Sequence, residues 1–509
     1  MVAAARGGRG RGWLTVHGWL GLALTLFMLL VLATGTVATL SHEIEWLYSD
    51  RVRAEAAGGP ESWEGVLAAA RRTYPDRAFG YVSAGPGPAF AWRVSGTRED
   101  GAWRDVFVDP ATMRVTGEAG LLRFPMVMRQ LHYQLLTSTS LALYAVCALS
   151  FLLAGSLASG LTLSKRFWRG FFRLRAGRGW RVFWGDLHRF CGVWSIWFAL
   201  AMAATGLWYL AERAMQEASG YSVELQAGPA VLAPPQEASA PPPVVGIAAA
   251  VAAARRALPA LEVRTVELPR SALRPYVVFG QTGAALVRDR AARVVVHPVT
   301  GAVLGVRHPG MMGLAERWAH MADPLHFGDF AGLASKLVWA AFGAVLTAVA
   351  ASGLVVWIRR TSRAGVTPGV RRPAMRPFWA VNAALLALPL AALPAFVRNY
   401  GEGPQVERDL GQGAPRAEAV SAVLVRDFGR PALLVRFCAG CFDAIRQAEA
   451  TILLNGGETV TRRLGDDPNR LTVLLPDGRS ADDVRSVTLR TTEWSGRRAV
   501  VRWLEKSSG

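Results

Sequence analysis

Acidic side chains are scarce in this chain: 38 Asp and Glu face 57 Lys and Arg, for a net charge of +19. Cysteine is scarcer, with four in 509 residues. Only Cys438 and Cys441, in "CAGC", have motif spacing, and the absence of a second CxxC or a nearby histidine argues against a zinc site. HExxH, a Walker loop and GxSxG are all missing, which removes zincin, P-loop and serine-hydrolase chemistry. The "GGRGRG" at 7–12 follows no strand and lies in a basic tail, so it is no dinucleotide site.

Apolar residues, by contrast, are abundant, at 51% of the chain with a mean hydropathy of +0.23. A hydrocarbon core of about 30 Å needs about 20 apolar residues to cross it. Five uncharged runs approach that length, near 16–40, 137–163, 188–210, 333–358 and 378–397. They predict membrane helices within 13–42, 132–163, 188–211 and 326–358, and a fifth at 378–397 that opens with Pro377 and contains Pro389 and Pro394. The first run is too long for a cleaved signal peptide, and it ends in "SHEIEWLY" rather than a small-residue cleavage site.

The segments before the first run, between the second and third (164–187) and after the fourth hold sixteen basic residues and one acid, Asp186. The positive-inside rule places them in the cytoplasm, N-terminus included. Residues 43–131, 212–325 and 398–509 are then periplasmic or extracellular, around a bacterial-type inner membrane. The positive charge is thus topological, nucleic acid is not an expected partner, and the arginine-rich loop faces anionic lipid.

The chain repeats itself. His17 is followed at the same two offsets by Gly21 and Thr34-Gly35 as His188 is by Gly192 and Thr205-Gly206. "AAARRTYP" at 68–75 returns as "AAARRALP" at 252–259, and "VDPATMRVTG" at 108–117 as "VHPVTGAVLG" at 296–305. His132 precedes Ser159-Gly160-Leu161 much as His326 precedes Ser352-Gly353-Leu354. The unit is helix, extracytoplasmic domain, helix, used twice.

Each extracytoplasmic domain reads as an amphipathic helix followed by short strands, a small α+β module. "LAPPQEASAPPPVV" at 232–245 is a linker into the second. The last region alternates like short strands around Gly-Gly and Asp-Gly turns and predicts a small β-rich domain. Cys147 and Cys191 read as packing residues, while Cys438 and Cys441 fit a disulfide or a redox pair.

The doubled module with its "VDPATMRVTGE" and "VHPVTGAVLG" resembles the PepSY domain. Together with "HGWLG", "LHYQLL", "DLHRFCGVW", "ATGLWYL" and "LHFGDFAG", it resembles the PepSY-associated transmembrane family over roughly 13–360. That resemblance implies a helical membrane bundle carrying two PepSY domains. It also implies b-type haem held between membrane histidines, as in the ferric-siderophore reductases of the inner membrane.

The residues bear on this separately. An imidazole in a bilayer is costly unless paired. His17 and His188 fall at the cytoplasmic ends of helices one and three, and His132 and His326 at the outer ends of helices two and four. Haem iron takes two axial imidazoles from facing helices, so His17 is expected to pair with His188 and His132 with His326, giving two haems b. Gly21 and Gly192, one turn on, would leave room for the ring. The competing reading is that each histidine caps carbonyls. His320 and His42 are alternative outer ligands, His297 stands where the first copy has Asp109, and His308 is a loop residue. The Thr-Gly and Ser-Gly pairs read as close-packing positions.

The expectation is a di-haem oxidoreductase passing electrons outward to a ferric-siderophore or another extracytoplasmic acceptor. Having no nicotinamide or flavin domain, it would draw them from a quinol or a cytoplasmic reductase. A homodimer is left open. The rivals are a non-enzymatic PepSY protein that binds a protease or senses a surface signal, and a transporter, which would want an ionisable group or a broken helix at mid-membrane.

Overall fold

In the computed structural model, the described residues are 2–55, 62–98, 102–163, 172, 174–175, 177, 179–219, 243–269, 274–362, 376–401, 405–413, 420–427, 430–436, 445–463, 470–476, 478–493 and 497–503. The first copy runs through α1 (Val2–Leu22), α2 (Thr25–Thr39), α3 (Ser41–Tyr48), α4 (Trp63–Thr73), β1 (Ala78–Ser83), β2 (Trp92–Thr97), β3 (Trp103–Val108), β4 (Val115–Ala119), α5 (Phe124–Gln134) and α6 (Ser140–Leu163). The second repeats it as α7 (Trp180–Trp194), α8 (Ile196–Ser219), α9 (Ile247–Ala257), β5 (Glu262–Glu267), β6 (Tyr276–Gln281), β7 (Ala292–Val296), β8 (Val303–Arg307), α10 (Leu314–Phe327) and α11 (Gly332–Ser362). α12 (Arg376–Gly401) follows, outside the repeat.

Among the described residues, α6, α11 and α12 are each long and apolar enough to cross a membrane, and the count reaches five if each of two bent pairs is one span. α12 continues through Pro389 and Pro394 as one helix. The bent pairs fall on the expected helices 13–42 and 188–211. α1 meets α2 at 59°, and α7 meets α8 at 65°.

The expected helix 132–163 is likewise two elements. His132 belongs to α5, and Leu135, Leu136 and Ser138, all at positive φ, turn the chain into α6. In the expected helix 326–358, His326 lies in the last turn of α10, and Gly328 and Gly332, at φ 72° and 60°, make the corner into α11. α2 packs on α11, and α8 on α6. α1 packs on α6 and α7 on α11, so each bent first helix starts against the second helix of its own copy and crosses to that of the other.

The two α+β modules share one antiparallel sheet, in the order β4-β3-β2-β1-β5-β6-β7-β8. The join pairs Tyr81 with Glu267, Val82 with Val266 and Ser83 with Thr265. α4 and α9 cover one face, on a core that includes Val66, Val82, Val94, Ala254, Val266 and Val278. Fully burying an aliphatic side chain contributes about 1.5–3 kcal/mol, so the modules stabilise each other across the join. Ser62 caps α4, its Oγ accepting from Gly65 N–H at 3.0 Å, and Arg71 and Arg72 sit in the last turn, as the helix dipole favours.

The C-terminal region is β-rich. β9 (Gln405–Gly413), β10 (Val420–Asp427), β11 (Arg430–Arg436), β12 (Ile445–Leu454), β13 (Thr459–Arg463), β14 (Arg470–Leu474), β15 (Val484–Glu493) and β16 (Arg498–Trp503) form two four-stranded sheets, β14-β11-β10-β9 and β13-β12-β15-β16. Leu424, Leu433, Ile452 and Leu489 share one core. The β12–β13 turn uses Gly456 and Gly457 at φ 95° and 86°, a backbone that glycine adopts without strain. Cys438 and Cys441 lie outside the described residues.

Candidate functional site

The fold brings the four histidines together as two pairs. His17 on α1 and His188 on α7 have ring centres 6.2 Å apart. His132 on α5 and His326 on α10 have ring centres 6.1 Å apart. Each pair joins equivalent positions of the two copies, one pair near the basic loop and the other beneath the shared sheet.

Every one of these rings has its Nδ1 engaged. His17 Nδ1 lies 3.1 Å from Ser156 O and 2.9 Å from Ser159 Oγ. His188 Nδ1 lies 3.0 Å from Val349 O and 3.2 Å from Ser352 Oγ. His132 Nδ1 donates to Val31 O at 2.9 Å. His326 Nδ1 is 2.8 Å from Thr205 Oγ1, which is also 2.8 Å from Ala201 O. For His17, His188 and His132 one partner is a carbonyl, which can only accept, so the proton is assigned to Nδ1 and Nε2 keeps its lone pair. That is the tautomer a metal-binding imidazole needs, with its other nitrogen held by an acceptor.

The Ser-Gly and Thr-Gly pairs therefore do more than pack helices. Ser159, Ser352 and Thr205 hold the rings, while a methyl group at Gly160 or Gly353 would come 3.4 or 3.2 Å from the Cε1 of His17 or His188. At Gly35 a methyl would come 2.6 Å from His132 Cε1. The repeat carried this signal, since these pairs recur at matched distances from the histidines. Gly21 and Gly192, the expected packing glycines, touch no ring, and a Cβ at either would meet nothing within 4 Å.

Beneath the sheet a chamber of about 1620 Å³ runs from the strands to the second pair. His132 and His326 line it, together with Tyr81, Trp103, Arg93 and Arg129. An ordinary small-molecule site holds roughly 300–1,000 Å³. Arg123 pairs with Glu45 at 2.6 Å, Lys336 with Glu43 at 2.8 Å and Arg93 with Asp105 at 3.7 Å. Arg129 has no carboxylate partner among the described residues and lies over Tyr133 and Phe327, 5.9 Å from each ring centre.

Burial, reinforced by the neighbouring His132, lowers the His326 pKa to about 3, and burial likewise lowers that of His132. His42 also faces the chamber, and burial together with Lys336, Arg123, Arg93 and Arg129 lowers it to about 3. His320 is buried in α10 with Nδ1 unpartnered. Among the described ring contacts, neither His42 nor His320 faces another histidine. His297 takes over the turn role of Asp109. Its Nδ1 accepts from Val299 and Thr300 N–H as Asp109 Oδ1 accepts from Ala111 and Thr112 N–H. His308 accepts from Gly310 N–H in a loop.

No group of three or more His, Cys, Asp or Glu suited to a metal ion occurs among the described residues. Two imidazoles alone suit a metal that brings its other donors with it. Metal–imidazole bonds of about 2 Å on both sides of one ion, plus the half-widths of the rings, place ring centres roughly 6 Å apart. The donor set, its tautomers and its spacing fit a bis-histidine haem at each pair.

No curated protein matches the chain. Residues 14–360 match the family profile described as the PepSY-associated TM region.

Proposed function

Because the chain belongs to the PepSY-associated transmembrane family, we propose that this multi-pass membrane protein is a di-haem b-type oxidoreductase, His17 and His188 holding one haem and His132 and His326 the other. The observation that carries this is the pair of equivalent His–His contacts, 6.2 and 6.1 Å between ring centres, with every Nδ1 already engaged. Haem, when bound, supplies a one-electron couple at each pair. The helical path from His17 to Val31, whose carbonyl holds His132, is about 20 Å at 1.5 Å per residue before the bend shortens it. Two sites would divide the crossing of the membrane.

The basic loop then faces the cytoplasm of a bacterial inner membrane, and the two modules, read as PepSY domains, stand outside. The chamber receives the acceptor beside the outer pair. Arg129 offers a cation to an anionic group, and Tyr81 and Trp103 offer aromatic faces. A ferric siderophore is the acceptor this reading favours, because reducing Fe(III) weakens its hold on hard oxygen ligands. A quinol or a cytoplasmic reductase is the donor. Two helices are broken, at Ala23-Leu24 and at Ser195, as a transporter would show, but neither break carries the ionisable group that would be its other mark.

The test is an absorption spectrum of the detergent-purified protein, oxidised and dithionite-reduced, with pyridine haemochrome quantitation. Two b haems per chain with sharp reduced α-bands are expected. A protein that stays colourless after haem supplementation would overturn the reading and leave a ligand-binding or sensing module.

A further inference from the structure

The first bend has a cause outside the repeat. In an unbroken helix Phe27 N–H would donate to Ala23 O. Here the Asn382 side chain of α12 stands between them, its Oδ1 accepting from Phe27 N–H at 3.0 Å and its Nδ2 donating to Ala23 O at 2.9 Å. The second Nδ2 proton goes to Phe378 O at 2.7 Å. Asn382 is 1% exposed. A side chain inserted into the i→i−4 ladder is a recognised cause of a helix kink. In a bilayer the backbone groups freed by such a break must find partners inside the protein.

At the second bend the described hydrogen bonds are local. Leu24 stands seven residues after His17, and Ser195 stands seven after His188. Ser195 is buried, its Oγ lies 3.4 Å from Gly192 O, and its backbone joins both flanking helices, N–H to Cys191 O and O from Ala199 N–H. Leu24 O likewise accepts from Met28 N–H at 2.7 Å, but Leu24 has no polar side-chain atom to offer.

From this we infer that Asn382 is a positioning residue: it sets the bend of the first helix and so brings His17 to His188. It acts through the backbone of Ala23 and Phe27 and touches neither ring. The inference rests on the haem reading only for its spectroscopic readout.

The test compares the full chain with Asn382→Leu, which is close in volume and lacks hydrogen-bonding groups. Asn382→Asp, which keeps the acceptor and loses the donors, serves if the first variant does not fold. Spin labels at positions 13 and 37 report the bend directly. A straight helix would place them about 36 Å apart, and the 59° bend shortens this by about 5 Å.

The expected result is a longer 13–37 distance in either variant, with loss of the haem signal that His17→Ala also removes and retention of the other. Adding Leu24→Ser, which copies Ser195, should recover both in part. An unchanged distance in the variant that folds overturns the inference. If the unsubstituted protein holds no haem, the haem reading fails and the distance alone still decides.

Discussion

The imidazole of His17 stands 6.2 Å from that of His188, and each is held by the second long helix of its own copy, through Ser159 for one and Ser352 for the other. The contact is made between copies and the support comes from within each. That division of labour makes separable expectations for each residue.

Replacing His188 by Ala should halve the haem per chain and leave the protein folded, because the sheet-side pair shares no ligand with it. His17→Ala should do the same, and the double variant should lose no more than either single one. Pyridine haemochrome assay of the four proteins measures this. Full haem content in His188→Ala would remove that pair as a site.

The His326 ring is held by Thr205 Oγ1, whereas His17 has both Ser156 O and Ser159 Oγ. Loss of an outer partner of a ligating histidine costs about 10–100-fold in metal affinity. Thr205→Val should therefore weaken haem retention at the sheet-side pair by that order, and Ser159→Ala should have a smaller effect at the other. Competition for haem by apomyoglobin reads both.

Gly35→Ala should be harmful and Gly21→Ala mild. The added methyl at 35 would lie 2.6 Å from His132 Cε1, and that ring is tied to Val31 O. Overpacking of this kind costs about 1–3 kcal/mol. A lower melting temperature and a perturbed sheet-side haem spectrum are expected for Gly35→Ala alone.

Burial, reinforced by Arg288 and Arg307 and opposed by Glu316 and Asp323, lowers the His320 pKa from 6.5 to about 4. The unfolded chain then binds a proton that the folded chain refuses. Stability from this residue is complete above about pH 6.5 and is lost as pH falls toward 4, at no more than about 1.4 kcal/mol per pH unit. His320→Gln should lose less melting temperature between pH 7 and pH 5 than the unsubstituted protein. An equal loss would show that His320 does not titrate in that window.

The approach of His17 to His188 and of His132 to His326 was legible because the repeat placed equivalent residues at equivalent heights, whereas Ser159, Ser352 and Thr205 recur in that repeat but read as packing positions rather than as partners of the rings. The bends were not legible. Leu24 looks like any membrane residue, and the amide that interrupts its helix arrives from Asn382, 355 residues beyond Phe27. The corner that puts His132 on its own helix was hidden for a local reason. Leu135, Leu136 and Ser138 adopt positive φ without a glycine to announce it, while the matching corner in the second copy has Gly328 and Gly332. Gly21 and Gly192 were placed one turn from their histidines correctly in sequence, yet the rings approach glycines of other helices.

Each copy supplies one histidine to each pair and one strand to the β1–β5 join. Half of the chain alone would expose two unmatched imidazoles and an open sheet edge, and would need a second half from solution to close them. Joining the halves covalently makes that encounter intramolecular, with an effective concentration fixed by the tether. Completion of both sites is then independent of how dilute the protein is in its membrane.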